Sequence, residues 1–322
     1  MKYNKQTVAL SSVHREDSTW HITTETEVKD LIPSISGIGL LNVPFLMACQ
    51  PSGYVVISGF RRIEACRQLG WTRIEANLVE PETSPLTCAK LAITDNSFQR
   101  PLNLIEQSRA CHLLCRHIRG AEQMAETARS LNLPVALSLI KKIEPLCQLP
   151  PAIQDGILSD TISMPVAVEL GSLETDAAEC IAQLFNELKI SLSKQRQVLS
   201  MVTEIAAREK ISILDVINDP QFQSILSDDD PDRTQKASHL LFFLKKRRYP
   251  EITRVENEFK KNIHQLKLGN QIKLIPPPHF EGSTYTLSLQ FSSLAELQER
   301  NESLVQMINH PILKNILPPG NY

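Results

Sequence analysis

A glycine and two arginines stand where an apolar run meets the start of a predicted helix. The run, typical of a buried strand, ends just before Gly59, and Arg61 and Arg62 follow. A helix that begins after such a glycine presents backbone N–H groups without intrahelical partners, and its dipole favours an anion. The junction therefore predicts a phosphate site. On the residues alone, the alternative is that both arginines are solvated or paired with Glu64 or Asp95.

The elements that position this junction form a mixed α/β region from Val8 to about Pro101. The Thr24–Glu27 segment has the pattern of a capping box and predicts a helix that starts there and continues through Ile35. A hairpin, a helix after Gly59 and a further strand follow, at residues 44–48 with 54–58, 60–69 and 74–79. These elements predict one small α/β domain.

Three segments resemble the sequence boxes of ParB-type partition proteins. The segment from Gly59 to Arg62 is similar to the G-E-R-R segment, and residues 31–42 are similar to the first ParB box. Residues 95–106 are similar to the E-N-x-Q-R box with its trailing L-N-P-I-E. The three segments occur in the same order as in the family, and the resemblance covers roughly residues 8–218. The resemblance implies an N-terminal domain that shares its fold with sulfiredoxin and that, in many family members, binds and hydrolyses CTP.

The resemblance also implies a set of nucleotide-binding residues: Gly39, Gly59, Arg61, Arg62, Asp95, Asn96 and Arg100. Asp95 and Asn96 are oxygen donors suited to a hydrated Mg²⁺ beside phosphates, so CTP and Mg²⁺ are the expected cofactors. An ungapped alignment puts Gln99 rather than Arg100 at the arginine position, which means that one phosphate contact is lost or moved. No catalytic residue is assigned, and CTP hydrolysis stays open.

Two departures from the family pattern narrow these expectations. Phe60 stands at the glutamate of G-E-R-R, where sulfiredoxin has its catalytic cysteine, so sulfiredoxin chemistry is not expected. Its apolar side chain also counts against a small-molecule kinase, which needs an acidic residue near the phosphates. Where ParB commonly has S-x-G-H-A-R, this chain has the mostly apolar Ser163–Val168 segment. Recognition of the common chromosomal partition site is therefore not expected, and the chain resembles a divergent family member.

The middle region, residues 102–218, has helical apolar spacing almost throughout. A helix over 121–130, a turn at Asn132 and a helix that Pro134 can begin form a predicted helix-turn-helix. Its second helix directs Ser138, Lys141 and Lys142 towards solvent, and we take these as candidate DNA-binding residues. The alternative is an ordinary solvated helix face.

Residues 219–322 read as a small α+β domain with two strands, 271–275 and 285–291, and a last helix after Ser293. A two-stranded sheet is too small to be stable alone, so we expect residues 233–322 to form a homodimer contact, the alternative being cover by local helices. A basic run ends one helix and adds candidate phosphate contacts, which are Lys245, Lys246, Arg247 and Arg248. The helix dipole alone would also explain basic residues at that end.

Composition sets outer limits on function. The 322-residue chain has a net charge of −2, so any DNA contact must come from a local basic patch. We expect a cytoplasmic protein without membrane contact. The seven cysteines are scattered, the N-terminus lacks the apolar core of a signal peptide, and the sequence has no long apolar stretch. The expected DNA binding would associate the protein with the nucleoid.

Two function classes follow. In the first, the chain is a ParB-like DNA-binding protein of chromosome or plasmid partitioning, or of a related DNA-organising role, in which CTP operates a clamp of two subunits. In the second, it is a transcriptional or scaffolding adaptor that binds DNA and keeps a vestigial nucleotide pocket. Family members usually work with a separate partition ATPase, which the resemblance therefore implies as a partner.

Overall fold

The computed structural model describes residues 2–49, 52–268 and 271–317. It divides the chain into two compact units, residues 1–195 and 196–322. The first unit holds a four-stranded sheet and most of the predicted middle helices, and the second holds helices and a two-stranded sheet. The domain boundaries predicted after residues 101 and 218 stay predictions.

The four-stranded sheet is mixed. Its strands, in the spatial order β1-β4-β2-β3, are β1 (Tyr3–Ala9), β2 (Phe45–Ala48), β3 (Tyr54–Ser58) and β4 (Arg73–Val79). The β2–β3 hairpin and the β1–β4 pair are antiparallel, whereas β2 and β4 run parallel. The predicted hairpin and the strand at 74–79 are confirmed. β1 was not predicted, because on this edge strand only Val8 is buried and its polar residues lack an apolar alternation.

Three helices pack around this sheet: α1 (Leu31–Ile38), α2 (Phe60–Gln68) and α3 (Pro85–Ser97). The helix predicted after Gly59 is confirmed as α2, and Gly70 follows it with a φ of 74°. The predicted start of α1 at Thr24 is wrong. The Thr24 N–H donates to the Glu106 carboxylate at 2.9 Å, so a tertiary contact holds this segment outside the helix.

The helices that follow agree in position with the helical spacing: α4 (Leu104–Cys115), α5 (Ala121–Ser130), α6 (Leu137–Ile143), α7 (Pro151–Leu158), α8 (Met164–Leu170), α9 (Thr175–Leu188) and α10 (Leu192–Glu209). α6 begins at Leu137, three residues after the predicted Pro134, because its N-cap Ala136 is extended, with φ −69° and ψ 116°.

Two apolar clusters lie on the two faces of the four-stranded sheet. One joins α1 and α2 to one face of the sheet, with Val56 and Ile63 among its buried residues. The other begins on the opposite face at Ile57, includes α3 and continues through α4 to Ile140 of α6. β3 is therefore buried on both faces, and the sheet shares a core with the first helices of the middle region.

The second unit contains α11 (Ile213–Ile217), α12 (Pro220–Ser227), α13 (Arg233–Arg248), α14 (Pro250–Leu266), β5 (Ile272–Ile275), β6 (Thr286–Leu289), α15 (Leu294–Asn309) and α16 (Leu313–Ile316). β5 and β6 pair antiparallel, with Ile272 opposite Leu289. None of the helices over 2–49, 52–268 and 271–317 is both long and apolar enough to cross a membrane.

Candidate functional site

The site is built on the turn from β3 into α2. Gly59 caps α2 with left-handed backbone torsion angles, φ 96° and ψ 24°. A Cβ at this position would lie 2.7 Å from the Pro44 Cβ, so only glycine fits. No side chain caps the N-terminus of α2 with a hydrogen bond. As in any α-helix, the N–H groups of its first turn have no acceptor within the helix. This end of α2 is chemically suited to an anion.

Six of the seven predicted nucleotide-binding residues line one cleft of about 360 Å³ beside this turn: Gly59, Arg61, Arg62, Asp95, Asn96 and Arg100. The cleft also has Glu25, Asn42 and Gln99 in its walls. Gly39, the seventh, ends α1 with a φ of 78° and is not a lining residue. The cleft thus gathers side chains that are up to 78 positions apart in the chain, from Ile22 to Arg100.

Arg61 is held by exposed carboxylates. Its guanidinium lies 2.6 Å from Glu25 and 2.7 Å from Asp30, and it donates to the Glu27 carbonyl. The side chains of Glu25 and Asp30 are 46% and 60% exposed. Ion pairs of this kind contribute about 0–1 kcal/mol each, so an incoming phosphate can replace them at little cost.

Arg62 is held more firmly. It pairs with Asp95, which also accepts a hydrogen bond from the buried Ser58 hydroxyl, and it donates to the Asn42 carbonyl at 2.9 Å. Gln99 donates to the other Asp95 oxygen at 3.2 Å. The predicted alternative of an Arg62–Asp95 pair is therefore present in the structure, and it joins the arginine of α2 to the last turn of α3.

Arg100 faces Glu106 of α4. Both carboxylate oxygens of Glu106 accept from the guanidinium at 2.7 Å, and Arg100 also lies 3.2 Å from Glu25. Burial by itself would raise the pKa of Glu106, but hydrogen bonds from Arg100 and from the Thr24 and Asn103 N–H groups lower it to about 2. Glu106 is therefore a buried, fully ionised group that connects the cleft wall to α4.

Phe60 gives the cleft an apolar wall where the family pattern has a glutamate. Its ring packs on His21 with 4.5 Å between ring centroids. Burial lowers the pKa of His21, and the charge of Arg109 lowers it further, so this imidazole is neutral at neutral pH. Neither residue supplies a carboxylate at the arginine end of the cleft.

The two predicted magnesium ligands differ in what already binds them. Asn96 donates its amide N–H to the Ala92 carbonyl at 2.7 Å, which leaves its side-chain oxygen directed away from that bond. Asp95 is engaged by Arg62 and Ser58. Over the described ranges no group of three or more His, Cys, Asp or Glu side chains forms a metal site. These oxygens fit Mg²⁺ only in its usual form in proteins, held by one or two side chains together with phosphates and water.

The candidate DNA-binding residues of the middle region lie on α6. Ser138, Lys141 and Lys142 are exposed, while Ile140 and Ile143 are buried on the opposite face. The predicted division of this helix into two faces is therefore present. α5 and α6 contact each other, and a six-residue connection separates them.

The basic run at the end of α13 is largely neutralised by carboxylates. Lys245 pairs with Glu256 at 2.8 Å, Arg247 with Glu209 at 2.7 Å, and Arg248 with Glu204. Lys246 is exposed and has no carboxylate partner within the described residues. Sequence reasoning missed these pairs because Glu204 and Glu209 lie on α10, about 40 positions earlier in the chain.

It also missed Glu25 and Asn42 as lining residues of the cleft, and Ser58 as a hydrogen-bond partner of Asp95. Glu25 was taken as part of a helix cap, and its pairing with Arg61 and Arg100 has no local sequence signal. Glu106 does have one, since it ends the segment that resembles L-N-P-I-E.

The comparisons with known proteins concern the N-terminal part of the chain. Residues 4–97 match the model of the ParB N-terminal domain. A nucleoid occlusion protein from Geobacillus sp. (strain WCH70) is 29% identical over 146 residues, which are 44% of this chain and 48% of that protein. The chain therefore spans about half the length of the curated relative that it matches.

Solved structures of low similarity include three of ParB proteins, two of them of the same protein. C-terminally truncated ParB from Caulobacter crescentus with CTP-γ-S is 20% identical, with a TM-score of 0.26 over 56% of this chain and 92% of that one. The same truncated protein on the centromeric parS site is 16% identical, with a TM-score of 0.33 over 59% and 96%. The Pnob8-like ParB-N domain is 14% identical, with a TM-score of 0.37 over 77% and 98%. The domain match is the finding on which the family likeness rests: residues 4–97 of this chain form a ParB N-terminal domain.

Proposed function

We propose that this chain is a ParB-like DNA-binding protein whose N-terminal cleft binds CTP with Mg²⁺, in chromosome or plasmid partitioning or a related DNA-organising role. The observation that carries the proposal is the convergence of Gly59, Arg61, Arg62, Asp95 and Asn96 on one cleft at a helix N-terminus. The last turn of α3 and the first turn of α2 meet at this cleft, although no local sequence signal brings them together. A phosphate site needs groups from both turns at one place.

Phosphates bind at the first turn of α2. Backbone N–H groups there and the Arg61 guanidinium supply hydrogen bonds to the phosphate oxygens. Arg61 exchanges its exposed pairs with Glu25 and Asp30 for this contact, which is stronger because it combines charge with fixed geometry. Asp95 and Asn96 are the residues that would hold Mg²⁺, whose chemistry here is to neutralise phosphate charge.

Glu25 couples the cleft to the helices beyond it. In the structure it contacts both Arg61 and Arg100, and Arg100 is bound to Glu106 of α4. When a phosphate binds Arg61, Glu25 loses its ion pair with Arg61 and keeps the one with Arg100. A change at the phosphates is thereby transmitted to the Glu106 network and to α4, and this is the two-state element through which nucleotide sets the arrangement of the DNA-binding helices.

DNA binds through α5 and α6 in a helix-turn-helix, with Ser138, Lys141 and Lys142 facing the duplex. Lys246 adds a phosphate contact, whereas Lys245, Arg247 and Arg248 are engaged with carboxylates and contribute less. Two subunits joined through residues 233–322 close around the DNA, next to the nucleoid, in response to nucleotide. CTP hydrolysis would reset this clamp, and a partition ATPase is the expected protein partner.

The second candidate function is a DNA-binding adaptor, transcriptional or scaffolding, with a vestigial pocket. One observation favours it: Arg61, Arg62 and Arg100 are all paired with carboxylates in the chain itself. In this case the ion pairs stabilise the fold and no nucleotide displaces them.

Equilibrium binding of labelled CTP, ATP and GTP, each with and without Mg²⁺, separates the two functions. We expect CTP to bind with Mg²⁺, and ATP and GTP to compete poorly. If none of the three nucleotides binds at millimolar concentration, the CTP proposal is wrong and the adaptor function is retained.

A further inference from the structure

A second pocket, of about 700 Å³, lies in the second unit among α12, α13 and α14. Part of its wall is apolar and consists of Phe243, Pro220 and Pro250. The Phe243 ring packs edge-on against Phe222 of α12, with 6.2 Å between ring centroids, which fixes its position. The volume lies within the range of small-molecule sites, and a fixed aromatic wall suits a planar ring.

The charge available to a ligand here is positive. Lys246 and Arg254 both line the pocket, and Lys246 has no carboxylate partner within the described ranges. Arg254 pairs only with Glu251 at 2.9 Å, where both side chains are well exposed, so that pair is weak. Asp219 also lines the pocket, but its carboxylate is engaged by Arg247 at 3.1 Å. Arg247, the third cation of the lining, is paired with Glu209 and Asp219, so an anion meets two available cations and no free carboxylate.

Thr253 supplies an independent observation. It is a lining residue of the pocket, is only 4% exposed, and its hydroxyl has no hydrogen-bond partner among the described residues. Buried hydroxyls without partners are rare because each costs the free energy of a lost hydrogen bond. The hydroxyl itself is enclosed, so a rotation about the Cα–Cβ bond of Thr253 would be needed to present it to a polar ligand atom in the pocket.

We propose that this pocket binds a small anionic molecule with a planar aromatic body. The ring lies against Phe243 and the two prolines, and the anionic group lies between Lys246 and Arg254. The site is separate from the N-terminal cleft and does not depend on the function proposed for that cleft, but a bound anion would compete with DNA phosphate for Lys246.

The test uses the full chain and an aromatic sulfonate dye, 8-anilinonaphthalene-1-sulfonate, followed by fluorescence. Its neutral counterpart, N-phenyl-1-naphthylamine, has the same rings without the sulfonate. We expect the sulfonate to bind at one site, and Lys246→Gln with Arg254→Gln to weaken it about tenfold, as expected for charged hydrogen bonds. The double variant Arg233→Gln with Lys261→Gln is the matched control. It removes equal charge from exposed positions outside the pocket and should change the affinity less than about twofold.

Equal affinity of the wild type and the Lys246 and Arg254 variant for the sulfonate would overturn the proposal. So would equal binding of the sulfonate and the neutral dye, since the pocket would then bind rings without regard to charge. Neither result touches the N-terminal cleft, so this proposal and the CTP proposal fail independently.

Discussion

Glu106 is the residue whose replacement should cost the first unit most stability without altering its packing. Its carboxylate is fully buried and binds Arg100 together with the N–H groups of Thr24 and Asn103. Glu106→Gln keeps the size and part of the hydrogen bonding of this side chain but removes its charge. Arg100 is then left with Glu25 as its charged partner.

The magnitude follows from the pKa of Glu106. The folded pKa of about 2 lies roughly 2.5 units below the ordinary value of 4.5, and at about 1.36 kcal/mol per unit the charged form contributes about 3 kcal/mol to the free energy of unfolding. Because the folded pKa is depressed, this contribution is present above the ordinary value of 4.5 and is lost as the pH falls towards about 2. The stability difference between wild type and Glu106→Gln should therefore be about 2 to 3 kcal/mol at neutral pH and should vanish near pH 2.

Urea denaturation followed by tryptophan fluorescence measures this difference. Both tryptophans, Trp20 and Trp71, lie in the first unit, so the signal reports the part of the chain that holds Glu106. Glu122→Gln is the matched control, since Glu122 is exposed and should give a difference of less than about 0.5 kcal/mol at every pH. A difference below about 1 kcal/mol at neutral pH, or one that does not shrink on acidification, would refute the reasoning.

Three further predictions concern ligands and assembly. Arg61→Ala and Arg62→Ala should each weaken CTP binding about tenfold or more in equilibrium titrations, because each removes a charged phosphate contact. Neither variant should unfold the domain. Arg62→Ala should destabilise it more than Arg61→Ala, because the Arg62–Asp95 pair is less exposed. Lys141→Ala with Lys142→Ala should lower DNA affinity evenly across sequences and reduce the slope of log affinity against log salt by about two, measured by fluorescence anisotropy. Light scattering should find the full chain dimeric at micromolar concentration and a chain without residues 233–322 monomeric.

Each of these predictions has a control or a contrary result. Arg73→Ala removes an exposed arginine of β4 outside the cleft and should leave CTP affinity unchanged. Unchanged affinity in both cleft variants would end the pocket assignment. For DNA, Lys260→Ala with Lys261→Ala removes two exposed lysines of α14, and an equal loss of slope in both double variants would show that α6 is not the contact surface. A monomeric full chain would contradict the dimer.

The parts of the fold that the sequence predicts are those with local signals. The apolar run before Gly59 and the glycines at 59 and 70 mark β3 and both ends of α2, and the helix predicted over 121–130 has the bounds of α5. The box residues of the candidate site are recognisable for the same reason, since each lies in a short segment with its own pattern.

What could not be predicted depends on contacts distant in the chain. Thr24 has the local pattern of a helix cap, yet its N–H binds Glu106, which lies 82 positions later. The basic run of α13 has the pattern of a phosphate-binding patch, yet its charges meet carboxylates of α10 and α14. In each case a residue distant in sequence binds a group that local sequence assigns to another role, a helix cap or a phosphate contact.

Hydrogen–deuterium exchange of the full chain with and without CTP and Mg²⁺ tests directly whether the first turn of α2 binds the phosphates. The account predicts slower exchange of the backbone amides of residues 60–62 when nucleotide is bound, because the phosphates then accept their hydrogen bonds, with a smaller change around Asn96. Amides at the C-terminal end of α2 should exchange at the same rate in both states. CTP binding that leaves the amides of residues 60–62 unprotected would contradict the account.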